Sequence, residues 1–203
     1  MSKLKIYGVT PTRTMRVFWM ATELGLDYEQ LPIAPRDGST KTPEFLAVNP
    51  NGCVPAISDG ELNLWESLAI NLYLAKKHVG ALAPRDDAEN GLALQWSFWA
   101  AGVVEPQAFA ALKNRALAAE SDRDAAAADQ AEAALTAPLA VLDGALAGRD
   151  YLLGDRFTVA DLNLASVLSW AKMAKVDMTG QDDVSAWLRR CLSRPAYLQV
   201  RGG

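Results

Sequence analysis

The fold is decided by the stretch NPNGCVPAISDGELNLWES, residues 49–67. Val54 to Ser58 and Leu62 to Trp65 are apolar runs bracketing Asp59-Gly60, a dipeptide that tolerates the positive φ of a tight hairpin turn, so an antiparallel strand pair is predicted. From Glu66-Ser67 to His78 the pattern becomes helical, with Ile70, Tyr73 and Leu74 on one side and Leu68 and Leu72 on another, too much apolar surface for a helix with a single partner. Lys76, Lys77 and His78 close this helix, where positive charge offsets the negative end of its dipole.

Upstream, Leu4-Lys5-Ile6-Tyr7 alternates as a strand does, and after a loop from Gly8 to Thr12 the residues Val17, Met20, Ala21 and Leu24 recur at helical spacing. Gly25 ends that helix and Tyr28 to Ile33 is a second extended run, which completes a βαβ unit with parallel strands. Downstream, Pro84 and the charges Arg85, Asp86 and Asp87 mark a change from mixed to almost wholly helical composition. A first domain over 1–79, a linker over 80–89 and a helical domain over 90–203 follow. In the last of these, Leu92, Trp96, Trp99 and Val103 form one helical stripe and Leu135, Leu139, Leu142 and Leu146 another, with Pro138 expected to kink the second. Thr158 and Asp161, three apart before Leu162, Ala165 and Leu168, form a helix capping box, so Asp161 reads as structural. Cys191 reads as a small core residue.

Composition narrows the function. Among 203 residues, 24 Asp and Glu against 20 Lys and Arg give a net charge of −4, and nothing electrostatic points to nucleic acid or anionic lipid. Cys53 and Cys191 lie far apart and His78 is the single histidine, so no structural zinc set is available and no metal is expected. The start lacks the apolar core of a signal peptide and no run approaches the roughly 18 apolar residues of a membrane span, so a cytoplasmic protein is expected. The single histidine, and the lack of nucleophile-elbow, phosphate-loop and dinucleotide fingerprints, argue against triad hydrolases, nucleotidases and nicotinamide dehydrogenases.

In the order and spacing of the Gly8 loop, Val54-Pro55, Glu66-Ser67 and Phe157-Thr158-Val159-Ala160-Asp161, the whole chain resembles the cytosolic glutathione transferase superfamily. The likeness is to bacterial members of serine/threonine type with a theta/phi-like N-terminal motif. It implies a thioredoxin-like βαβ-ββα N-terminal domain followed by an all-helical C-terminal domain, a homodimer, and glutathione as co-substrate in detoxification. The family's Ser-Arg-x-x-Arg-Val pattern is matched by Thr12-Arg13-Thr14-Met15-Arg16-Val17. By resemblance Thr12 is the hydroxyl that stabilises the glutathione thiolate. The added methyl restricts χ1, Thr10 and Thr14 stand as fallback donors, and Arg13 adds positive charge.

A cis Val54-Pro55 bond, as in the family, turns the Val54 N–H and C=O outward to pair with the cysteinyl backbone of glutathione. Glu66 suits the ammonium, and Ser67 at a helix start suits the carboxylate, of the γ-glutamyl head. Thr40 and Lys41 face the glycine carboxylate by resemblance. Cys53 stands where relatives often carry Lys, Arg or Gln. It is read as a buried small side chain, with a mixed disulfide to glutathione as the alternative. Val9, Trp99 and Val103 are expected to line an apolar electrophile pocket. The expected reaction is conjugation of the thiolate to hydrophobic electrophiles. The alternatives are disulfide or peroxide reduction at the same site, or non-catalytic binding of glutathione or an apolar ligand.

Overall fold

A computed structural model of the chain describes residues 3–202. They divide into two compact units, one running to Ala83 and resumed from Arg194, the other Pro84–Ser193.

In the first unit, β1 (Leu4–Tyr7) leads into α1 (Thr14–Glu23), and β2 (Tyr28–Leu31) returns parallel to β1 with Leu4 opposite Tyr28 and Tyr7 opposite Leu31. A short α2 (Pro43–Val48) starts at Thr42, whose hydroxyl accepts from the Phe45 N–H. β3 (Ala56–Asp59) and β4 (Leu62–Trp65) pair antiparallel across Gly60-Glu61, with Gly60 at φ +65° as the tight turn requires. β3 also runs antiparallel to β1, and the sheet order is β2-β1-β3-β4. α3 (Ser67–Lys77) packs against α1. Ile6, Val17, Met20, Ile57, Ile70 and Leu74 are fully enclosed between sheet and helices, each worth about 1.5–3 kcal/mol of hydrophobic stabilisation.

The second unit is helical. α4 (Asp87–Trp99) begins inside the stretch read as a linker, because the Asp86 carboxylate accepts from the Glu89 N–H and caps it. A wide turn over Ala100–Val104 joins α4 to α5 (Glu105–Leu112), and a second over Lys113–Leu117 ends α5. α6 (Ala125–Leu146) runs through Pro138 and buries Leu135, Leu139, Leu142 and Leu146. α7 (Val159–Met173) is enclosed along most of its length, and α8 (Asp182–Leu192) buries Val184, Trp187, Leu188, Cys191 and Leu192. The capping box at α7 is present. Asp161 is fully enclosed and accepts from Leu152 N, Thr158 N, Thr158 Oγ1 and Trp187 Nε1 at 2.8–3.0 Å. Burial pushes its carboxyl pKa up against those donors.

Two further expectations from sequence differ from the structure. Of the stripe Leu92, Trp96, Trp99 and Val103, only Trp96 is buried. Ala93, Trp96, Ser97 and Ala100 are buried while Leu92 and Val103 are about two-fifths exposed. Asn163 Nδ2 of α7 donates to Ser97 Oγ of α4 at 2.9 Å, and the buried positions of α4 carry small residues beside the one tryptophan, so bulk does not mark this face. The last helix, α9 (Pro195–Gly202), read from sequence as part of the helical domain, groups with the first unit. Its Tyr197 ring lies 4.8 Å from that of Trp19, and Arg194 holds Glu23 through two hydrogen bonds of 2.6 and 2.7 Å.

Candidate functional site

The strand register gathers the three sequence motifs. Tyr7 lies opposite Ala56, and Ala56 opposite Trp65. The loop after β1, the Val54-Pro55 turn before β3 and Glu66-Ser67 after β4 therefore share one end of the sheet. Residues 51 positions apart come within hydrogen-bond reach there.

The first cluster is the β1–α1 loop. Gly8 N–H donates to the Leu31 carbonyl and Gln30 Nε2 donates to the Gly8 carbonyl, which ties the loop to β2. Gly8 sits at φ +140°, and a Cβ there would fall 2.0 Å from Thr14 Oγ1, so glycine is what lets the loop close over the buried Thr14. Thr12 is half-buried. Its oxygen accepts from the Thr14 N–H at 3.1 Å, and its proton is within reach of the Val9 carbonyl at 2.5 Å and Thr14 Oγ1 at 2.8 Å. Arg13, half-buried, is the residue before α1, and Val9 is half-buried beside them in sequence. The Thr10-Pro11 bond is cis, which the sequence reading did not include.

The second cluster is built on Asn49, a residue to which the sequence reading gave no role. Its side chain is buried, donates to the Cys53 carbonyl at 2.6 Å, and accepts from Asn51 N and Asn51 Nδ2. The signal was legible as Asn-x-Asn-Gly, where asparagine side chains replace backbone partners in a turn. Thr40 is buried and Lys41 exposed in a single helical turn over Ser39–Lys41, and Lys41 Nζ donates to the Gly52 carbonyl at 3.4 Å. Cys53 is a free thiol and exposed, not the buried side chain expected from sequence, because it stands on the outside of the turn before β3; Val54 is half-buried and Pro55 is buried behind a cis Val54-Pro55 bond.

The third cluster is the β4–α3 junction. Glu66 is exposed at φ +74°, ψ 108°, a conformation costly for a side chain other than glycine's. Ser67 opens α3 and is buried, and Arg16 Nη1 donates to its hydroxyl oxygen at 3.3 Å. Trp99 and Val103 belong to the second unit. Trp99 is half-buried at the end of α4, edge-on to Trp96 at 5.3 Å, and Val103 lies in the wide turn that follows. Among the described residues no group of three or more His, Cys, Asp or Glu side chains is arranged to hold a metal ion, and no helix is long and apolar enough to cross a membrane.

A four-stranded mixed sheet flanked by helices, with three loops converging at one end, and a separate helical unit define a two-part architecture that known proteins share. The family model "Glutathione S-transferase, N-terminal domain" matches residues 2–76, and "Glutathione S-transferase, C-terminal domain" matches 102–195. The chain is 33% identical to Glutathione S-transferase 3 of Zea mays over 97% of this chain and 92% of that protein. It is 31% identical to Glutathione S-transferase GstB of Escherichia coli (strain K12), over 93% and 92%. The theta class glutathione S-transferase of the citrus canker pathogen Xanthomonas axonopodis pv. citri, solved with glutathione bound, superimposes with a TM-score of 0.89 at 33% identity, covering 98% of this chain and 97% of that one. The chain belongs to the glutathione S-transferase family, with its thioredoxin-like N-terminal unit and helical second unit.

Proposed function

We propose that this chain is a glutathione transferase that joins the glutathione thiolate to hydrophobic electrophiles. The observation carrying this reading is the convergence of the Thr12 loop, cis Val54-Pro55 and Glu66-Ser67 at one sheet end through the Tyr7–Ala56–Trp65 register. Each segment offers what one part of the tripeptide lacks in isolation. The Val54 backbone pairs with the cysteinyl backbone, as an added strand does. Ser67 and the first-turn N–H groups of α3 take the γ-glutamyl carboxylate, while Glu66 takes its ammonium. Lys41, with Thr40, meets the glycine carboxylate.

Thiol activation falls to Thr12. A free thiol has a pKa of about 8.5, and lowering it by about two units needs about 2.7 kcal/mol of preference for the anion. The Thr14 N–H holds the Thr12 oxygen while the hydroxyl proton re-aims, by rotation about Cβ–Oγ1, from the Val9 carbonyl to the sulfur. Arg13 adds positive charge to the same loop. The thiolate then attacks an electrophilic carbon. A C–S bond forms and the leaving group departs with its electron pair. Val9 is the apolar contact that the first unit offers the electrophile, and a cytoplasmic homodimer is the proposed assembly.

Thiolate absorbance near 240 nm, followed against pH with glutathione bound, tests this directly. The bound thiol is expected to ionise about two pH units below the free one, and in Thr12→Val to return most of the way, with kcat/KM at neutral pH falling tenfold or more. Unshifted ionisation in the parent protein would rule the mechanism out. The exposed Cys53 beside Val54 favours a second reading, thiol–disulfide exchange. Disulfide turnover abolished by Cys53→Ala but surviving Thr12→Val would select it.

A further inference from the structure

α1 buries an arginine in the middle of its apolar face. Arg16 is 2% exposed, between Val17, Trp19 and Met20, which are fully enclosed. α3 grips it at two points. Arg16 Nη1 donates to Ser67 Oγ at 3.3 Å, and Asn71 Nδ2 donates to the Arg16 carbonyl at 3.3 Å. The chemistry of this pair is one-directional. A guanidinium has donors and no acceptor, so Ser67 Oγ accepts from Arg16 and its own proton is left for a different partner.

That direction matters at the proposed ligand site, because the γ-glutamyl head carries an ammonium and a carboxylate on one carbon. A serine hydroxyl on its own serves either group, accepting from the first or donating to the second. With Arg16 on one of the oxygen's two lone pairs, the hydroxyl proton points away from the guanidinium, and the cation beneath it favours donation to an anion over acceptance from a second cation. The buried cation adds to the positive end of the α3 dipole, and both favour an anion there. Glu66, next in the chain and exposed, is left to the ammonium.

We propose that Arg16 is a positioning residue that fixes the direction of the Ser67 hydroxyl, so that the site sorts the two charges of the γ-glutamyl head, carboxylate to Ser67 and ammonium to Glu66. This rests on the glutathione-binding reading above. It makes Arg16, which is enclosed beneath the site, the determinant of preference for ligands that carry the α-carboxylate.

The test is calorimetric binding of glutathione and two analogues: γ-aminobutyryl-cysteinyl-glycine, which lacks only that carboxylate, and glutaryl-cysteinyl-glycine, which lacks only the ammonium. The parent protein is expected to prefer glutathione over the first analogue by roughly tenfold or more, the range of a charge-assisted hydrogen bond. In Arg16→Met this ratio shrinks to below about threefold while the ratio against the second analogue is kept, and Arg16→Lys restores part of the loss. A purely structural role would move both ratios together, and that result, or an unchanged carboxylate ratio in Arg16→Met, overturns the proposal. Guanidinium ¹⁵N–¹H spectra of the unmodified protein give a reading that does not depend on a variant folding. Glutathione is expected to shift the Arg16 Nη signals and the decarboxylated analogue to leave them in place, and equal shifts would overturn the proposal. A parent protein that binds no glutathione overturns both readings, whereas one that binds glutathione with no preference for the carboxylate overturns only this one.

Discussion

Gly52 shows how much of the site hangs on a single backbone position. Its φ is +59°, and a Cβ there would lie 2.6 Å from Lys41 Nζ and 2.8 Å from the Thr40 carbonyl oxygen. The lysine tip can swing aside, but the carbonyl belongs to a turn and cannot. Gly52→Ala is therefore expected to cost about 1–3 kcal/mol, from the disfavoured φ and the displaced turn together. Glutathione affinity should fall with it, because Lys41 is carried away from Val54. Urea titration and calorimetry on the same preparation read the two effects, and a variant of unchanged stability would show that the 40–41 turn is not held against Gly52. At this scale the sequence was legible where a turn or helix start requires a residue type, as at the cis Val54-Pro55 bond and at Ser67, which opens α3. It was not legible where one residue's role depends on another far along the chain. Arg16 reads from sequence as part of a helix-start pattern, and only the packing of α1 on α3 sets it under Ser67.

At the scale of elements, helix ends were easier to read than helix faces. Thr158 and Asp161 identify the start of α7 from spacing alone, because a capping box needs a hydroxyl and a carboxylate three apart. The structure adds that Asp161 also holds Leu152 N and Trp187 Nε1, so one carboxylate ties together the turn before α7, α7 itself and α8. Asp161→Ala would leave four buried donors without an acceptor. With each costing about 1–3 kcal/mol, a loss of at least about 3 kcal/mol is expected even after some water enters. Thermal and urea unfolding measure it, and a change below about 1 kcal/mol would mean that the donors find other partners. The face of α4 resisted reading for a different reason. Counting large apolar residues locates a buried face only when bulk fills it, and here that face carries Ala93, Ser97 and Ala100. The stripe of α6 was readable because leucines do fill its seam.

For the whole molecule, the chain leaves the first unit at Ala83 and re-enters it at Arg194, so that unit is assembled from both ends of the described sequence. Sequence order suggests domains in series, and the eight residues of α9 offer little apolar pattern against that, with Tyr197 buried and Leu198 half exposed. The reason for the return is α1. Trp19 is fully enclosed, its Nε1 donates to Glu23 Oε1 at 3.0 Å, and Arg194 and Tyr197 complete the enclosure of that helix face. Ending the chain after Ser193 removes the guanidinium from a Glu23 side chain that is only 7% exposed and opens the Trp19 ring to water. Uncovering an aromatic core residue and a charge-assisted pair together is expected to cost about 3–5 kcal/mol, and the loss falls on the first unit, which carries the proposed glutathione site. The shortened protein should therefore lose glutathione affinity and become open to protease within residues 3–83, while fragments from 84–193 persist. If cleavage instead starts in the second unit, or if the shortened protein binds glutathione as the full chain does, α9 is an appendage and α1 is stable through its packing on α3 alone.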